Sequence, residues 1–181
     1  MARITLPKRC QPIRFLLLDV DGVLTDGSIV YSSRGDDIKA FHVRDGSGLK
    51  MWLGVGHRAG ILSGRRSETV LQRGIELGLR PIVQGTDDKV AALESILADL
   101  GVSAEETCYI GDDVIDLPVL ERVGLAVAVE DACPDAQAAA HYVTAASGGR
   151  GAVRECIELI LKAQNAWDAA RDAVLHRSRP G

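Results

Sequence analysis

Apolar positions along this chain alternate between two rhythms. Short unbroken runs of strand length, the first being Phe15-Leu-Leu-Leu-Asp-Val20, are separated by segments in which apolar residues recur at helical spacing. That alternation predicts an α/β architecture with a mainly parallel sheet. The first run has no polar face, so it is expected to be covered on both sides, as a central strand is. Ala59-Gly-Ile-Leu-Ser63, Pro81-Ile-Val83, Thr107-Cys-Tyr-Ile110 and Leu125-Ala-Val-Ala-Val129 read as further strands.

Between them, helices are predicted over 47–54, over 68–77 before Gly78, over 89–100 before Gly101, and around 117–123. In the third of these, Val90, Leu93, Ile96, Leu97 and Leu100 form one stripe. A β-hairpin is expected over 27–43, where Ser28-Ile-Val-Tyr31 and Ile38-Lys-Ala-Phe-His-Val43 flank a turn-rich bridge. A last long helix should follow Ser147-Gly-Gly-Arg-Gly151, and the polar tail at 166–181 is expected to fray.

With 181 residues and 46% hydrophobic content, the chain can bury one sizeable core, so a single domain over 1–181 is expected. A formal net charge of −4 and a pI near 5.6 speak against a nucleic-acid binder. Any anionic ligand must therefore be met by local positive charge. The four cysteines, Cys10, Cys108, Cys133 and Cys156, contain no C-x-x-C pair, which suggests neither a zinc site nor a disulfide framework. No apolar run reaches membrane-spanning length and no leader-like apolar segment follows the basic N-terminus, so a soluble cytoplasmic protein is expected.

The acids change the picture. Asp19 and Asp21 close the first strand, and Gly111-Asp-Asp113 closes the strand at 107–110. In an open parallel sheet the ligand crevice lies beyond the carboxyl ends of the strands, so both clusters should face it. Converging carboxylates repel one another and resist desolvation; an all-oxygen set of this kind suits magnesium. Ser63 ends a third strand and Lys89 opens a helix after a fourth, adding a hydroxyl and a fixed positive charge suited to a phosphoryl group. Taken singly, Asp-Gly is a common turn, Ser63 can cap a helix and Lys89 can be solvated. Taken together, four strand ends carrying these groups point to function.

Asp19-Val-Asp-Gly-Val-Leu-Thr-Asp26 resembles the first motif of haloacid dehalogenase phosphatases, D-x-D-G-x-x-T-D; Leu62-Ser-Gly64, Lys89 and Gly111-Asp-Asp-Val-Ile-Asp116 resemble the second, third and fourth. Val43-Arg-Asp-Gly46, Ser63-Gly-Arg65, Arg73, Gln84-Gly85 and Gly148-Gly-Arg-Gly-Ala-Val-Arg-Glu155 are further similar to the 3-deoxy-D-manno-octulosonate 8-phosphate phosphatase subfamily. The resemblance implies a Rossmann-like three-layer core without a large cap, a homotetramer in which a hairpin helps cover a neighbour's site, and a small anionic sugar phosphate as substrate. No nucleic-acid or membrane partner is implied.

By the same resemblance, Asp19 would attack phosphorus and Asp21 would act as acid and then base, with Ser63 and Lys89 stabilising the transferring group. Magnesium would be held by Asp19, the Asp21 carbonyl and Asp112, with Asp113 and Asp116 orienting its water. Substrate contacts would fall to Asp21, His42, Val43, Arg44, Asp45, Gly46, Lys50, Arg65, Arg73 and Lys89. His42 and Lys50 stand where the family often has Asn and Arg. Arg65 favours the octulosonate ester over 2-keto-3-deoxynonate 9-phosphate, whose phosphatases tend to carry Glu there. Arg150 lies in a Gly-rich stretch that is either a joint or a substrate contact. A phospho-receiver switch also combines acids, a hydroxyl and a Lys, but its acidic pair precedes the phosphorylated Asp by a strand and a helix.

Overall fold

The computed structural model describes residues 4–35 and 37–177. In chain order the elements are α1 (Leu6–Cys10), β1 (Phe15–Leu18), β2 (Val30–Tyr31), β3 (Asp37–Ile38), α2 (Val43–Gly54), β4 (Arg58–Ser63), α3 (Glu68–Leu77), β5 (Ile82–Gln84), α4 (Lys89–Leu100), β6 (Thr107–Gly111), α5 (Leu117–Leu120), β7 (Leu125–Ala128), α6 (Pro134–Ala139), β8 (Tyr142–Val143), α7 (Ala152–Ala163) and α8 (Trp167–Arg177). Six strands form one sheet in the order β5-β4-β1-β6-β7-β8, and every pairing in it is parallel.

Strand β1 lies inside the sheet, and all four of its residues are inaccessible to solvent. This follows from its sequence, since an unbroken Phe-Leu-Leu-Leu run gains most when helices cover both faces. Leu18 pairs with Ile61 of β4 and with Ile110 of β6, so these three strands end at nearly the same level. The polar residues that follow them are thereby delivered to one rim. Helix α4 starts where the Asp88 side chain accepts the backbone N–H groups of Val90 and Ala91, and it stops at Gly101 with φ of 61°. That cap points Lys89 back towards the end of β1.

The structure differs from the sequence pattern in three places, and two of the differences have a physical cause in the packing. The hairpin is shorter than 27–43: only Val30–Tyr31 and Asp37–Ile38 pair, and the chain enters α2 at Val43 instead of 47. Asp45 is the reason, because its buried carboxylate accepts the Arg154 backbone N–H at 2.8 Å and draws the first turn of α2 onto α7. Helix α5 ends at Leu120, short of 123. The tail expected to fray contains α8 over 167–177, where Ala170 is fully buried and the Trp167 ring lies under Arg154 and Lys162, each 5.3 Å from its centre. Residues 178–181 of that tail lie outside the described residues.

Candidate active site

The carboxyl end of the sheet opens into a cleft of about 240 Å³, lined by Asp19, Asp21, Gly27, Ser63, Gly64, Arg65, Asp112, Asp113 and Ile115. Asp19 immediately follows β1, and its backbone N–H donates to the Ile110 carbonyl at 3.0 Å, which continues the sheet register by one residue. Its carboxylate is 4% exposed and accepts the Lys89 ammonium at 2.9 Å. Ser63, at the end of β4, is buried beside it.

Beneath the cleft, Asp116 organises the floor. It is wholly buried and accepts Lys89 Nζ at 2.7 Å, the Tyr109 hydroxyl at 2.6 Å, and the backbone N–H groups of Asp112 and Asp113 at 2.9 and 3.2 Å. Its two oxygens are thus used inward, to aim Lys89 and to shape the loop carrying Asp112. Burial pushes the Tyr109 hydroxyl well above its ordinary range, with Asp116 adding to the effect, so it stays a donor. Burial alone would lower the Lys89 ammonium, but Asp19 and Asp116 outweigh it and hold it above its usual value. Lys89 is therefore a permanent cation.

One lysine does not neutralise this rim. Carboxylate oxygens of Asp19, Asp112 and Asp116 all lie within 4.8 Å of one another. Burial, opposed in part by Lys89, raises Asp19 to about 6; burial together with the charges of Asp19, Asp116 and Asp113 raises Asp112 to about 8. Carboxylates driven this far up are short of positive charge, and hard oxygen donors in this number fit a hard divalent cation. Gly22 makes the approach possible: with φ of 89°, a Cβ there would fall 2.0 Å from Asp112 Oδ2.

A second group of residues braces the loop after β1. Gly149 donates its N–H to the Val23 carbonyl at 2.9 Å, and Gly148 donates to Asp131 at 2.8 Å. Side chains are excluded at this contact, since a Cβ on Gly148 would lie 1.7 Å from the Gly22 carbonyl oxygen and one on Gly149 2.5 Å from the Thr25 carbonyl carbon. Arg150 meets Asp26 at 3.3 Å, on the exposed side.

The sequence-derived set is therefore split. Asp19, Asp21, Ser63, Arg65, Asp112 and Asp113 line the cleft, with Lys89 and Asp116 below it. Arg44, with Arg150 and Arg154, lines a larger concavity of about 640 Å³ that contains none of the converging acids. His42, Asp45, Gly46 and Arg73 surround a separate small cavity, while Val43 and Lys50 are exposed. One side chain missed by sequence is Lys39, just after β3, whose ammonium contacts Asp21. A single lysine inside an alternating hairpin pattern carries no signal of that contact.

The parallel sheet with an acidic rim beyond β1 and β6 is the architecture of a haloacid dehalogenase-like hydrolase, and that family matches residues 55–156. The 3-deoxy-D-manno-octulosonate 8-phosphate phosphatase of Escherichia coli K12 is 45% identical over 163 residues, covering 90% of this chain and 87% of the relative. The crystal structure of the Yersinia pestis enzyme of that name superposes with a TM-score of 0.88 at 45% identity, covering 90% of this chain and 88% of that one. The Moraxella catarrhalis enzyme, solved with magnesium, phosphate and 3-deoxy-D-manno-octulosonate, gives a TM-score of 0.89 at 42% identity, covering 93% and 97% of the two chains. The chain belongs to the haloacid dehalogenase-like hydrolases and, within them, to the 3-deoxy-D-manno-octulosonate 8-phosphate phosphatase family.

Proposed function

We propose that this single-domain protein is a magnesium-dependent phosphatase that hydrolyses 3-deoxy-D-manno-octulosonate 8-phosphate, with Asp19 as the nucleophile. The observation that carries the reading is the position of Asp19: buried at the mouth of a cation-deficient carboxylate rim and held by a lysine that Asp116 and Tyr109 fix in place. Names of relatives support the substrate, and the geometry supports the chemistry.

Asp19 and Asp112 carboxylates with the Asp21 carbonyl would hold magnesium, whose charge neutralises the repulsion between an anionic nucleophile and an anionic ester. Asp19 attacks phosphorus and the bond to the sugar oxygen breaks as Asp21 gives that oxygen its proton. Asp21 then takes a proton from water, which attacks phosphorus and releases Asp19 and phosphate. Lys89 and Ser63 balance charge on the transferring group, and Asp116 holds Lys89 where it can do so.

Arg65 is the guanidinium that this chain itself offers to a sugar acid at the cleft. His42, Val43, Arg44, Asp45, Gly46, Lys50 and Arg73 lie outside the cleft lining, and a contact of theirs with substrate is part of this proposal. A homotetramer in the cytoplasm is the assembly that this reading favours. The test is phosphate release from the octulosonate ester beside other sugar phosphates, including 2-keto-3-deoxynonate 9-phosphate, with magnesium or chelator. Preference for the octulosonate ester only with magnesium is expected; turnover of the other esters alone would keep the mechanism and reject the substrate.

A further inference from the structure

Lys39 sits in an unusual place for a hairpin lysine. Strands β2 and β3 pair over two residues each and are largely exposed, so no core holds the hairpin. Its anchors are polar: Thr69 Oγ1 donates to the Asp37 carbonyl at 3.3 Å, Arg65 Nη2 donates to the Tyr31 hydroxyl at 3.3 Å, and Lys39 bonds Asp21 Oδ1. The Lys39 side chain is only 3% exposed, and a buried ammonium is tolerated only where an opposite charge meets it. Asp37 is farther away, at 3.9 Å. The other Asp21 oxygen, Oδ2, faces Arg65 Nε at 3.4 Å, and Arg65 is 46% exposed.

Asp21 is thus gripped unequally, by a buried lysine at Oδ1 and loosely by an exposed arginine at Oδ2. We propose that Lys39 is the positioning residue of Asp21, fixing its carboxylate so that Oδ2 is the oxygen that exchanges the proton with the leaving group. The inference rests on the acid role given to Asp21 above. In the first half-reaction the proton on Oδ2 passes to the bridging oxygen as the phosphorus–oxygen bond breaks, and Asp21 becomes the carboxylate whose Oδ1 pairs with the Lys39 ammonium. In the second, Oδ2 receives the proton of the attacking water.

The test compares kcat/KM, which reports steps up to formation of the aspartyl-phosphate, for two esters that both lack a carboxylate. One is an alkyl phosphate such as ribose 5-phosphate, whose alkoxide must be protonated; the other is p-nitrophenyl phosphate, whose leaving group needs no proton. Lys39→Met is expected to lower the alkyl value about 10- to 100-fold, part of the roughly 100- to 10,000-fold that a positioned proton donor supplies, and the aryl value about threefold or less. Lys39→Arg, which keeps the cation, should recover part of the alkyl rate and also serves if the Met variant fails to fold. Equal losses on both esters, or none, would overturn the proposal. Asp21→Asn run alongside separates the failures: if it too shows no preference for the aryl ester, the acid role itself is wrong.

A second inference rests on different atoms. Among the described residues, the buried side-chain atoms without a partner are His42 Nδ1, Asp45 Oδ2 and Arg73 Nε. All three residues line one cavity of about 10 Å³, near the smallest volume that holds a water molecule. His42 Nδ1 and Asp45 Oδ2 are 3.9 Å apart, too far to bond directly and suited to a bridge. We infer that one buried water sits there, accepting from Arg73 Nε and donating to Asp45 Oδ2 and to His42 Nδ1. A crystal structure at about 1.5 Å should show one peak within hydrogen-bond distance of all three atoms. An empty cavity, or direct pairing of the three atoms, would refute it.

Discussion

Removing one charge from the acidic rim should stabilise the metal-free protein and destabilise the magnesium-loaded one. Asp112 supplies the clean case, because its carboxylate accepts no hydrogen bond among the described residues and its raised proton affinity comes first from burial and then from Asp19, Asp116 and Asp113. Moving a carboxylate from 3.8 to about 8 costs the folded state on the order of 4 kcal/mol at pH 7 if nothing screens it. Asp112 retains partial access to water, so about half of that, ~2 kcal/mol, is the realistic figure.

The sign runs in one direction. A folded-state value above the unfolded one means that the folded protein holds the proton more tightly. Stability from Asp112 is then fully present below about pH 4 and lost as pH rises towards 8. Thermal unfolding of wild type and Asp112→Asn in chelator should show the variant higher by about 4–8 °C at pH 8, with the gap closing at low pH. Added magnesium should raise wild type by mass action and leave the variant nearly unmoved, reversing the order. If the variant is no more stable than wild type in chelator, or magnesium raises both equally, the charge-deficient rim is refuted.

Other perturbations follow from single contacts. Gly22→Ala should weaken magnesium activation by about tenfold or more, since the new Cβ meets Asp112 and a positive φ costs a non-glycine residue about 1 kcal/mol; a magnesium titration of activity checks it. Burial, opposed by the Gln164 hydrogen bond, depresses the proton affinity of His57, so its neutral form stabilises the fold above about pH 6.5 and that contribution fades on acidification. Denaturant unfolding from pH 7.5 to 5.5 should therefore fall less steeply in His57→Gln than in wild type, and parallel curves would contradict this. Ala170→Glu brings a carboxylate to a fully covered position and should cost several kcal/mol while raising hydrogen exchange across α8; unchanged exchange would mean that α8 is not docked.

Much of this arrangement was legible because strand ends are conspicuous in an α/β sequence. Phe15–Leu18 is apolar without a break and Asp19 ends the run abruptly, so both the central strand and the first acid could be read directly. Asp112 and Lys89 followed from the same rule at β6 and α4. The inward use of Asp116 was not legible, because its partners Tyr109 and Lys89 are fixed only once β6 and α4 pack. Nor was Lys39, whose contact depends on a hairpin folding back over Asp21, or α8, where one buried alanine and one tryptophan are hidden in polar composition.

The glycine seat at residues 148–149 bears on the order in which a new chain acquires activity. Strand β1 leaves the ribosome early and can be sandwiched as soon as β4 and β6 exist, yet the loop that follows it lacks its Gly149-to-Val23 hydrogen bond until residues 148–149 are made. Asp19 and Asp21 flank the start of that loop. A nascent chain paused after β7 would possess every strand end of the cleft and still lack the glycine brace on its acid loop. The loop that carries Asp21 is therefore fully braced only late in synthesis, after every strand end of the cleft is in place.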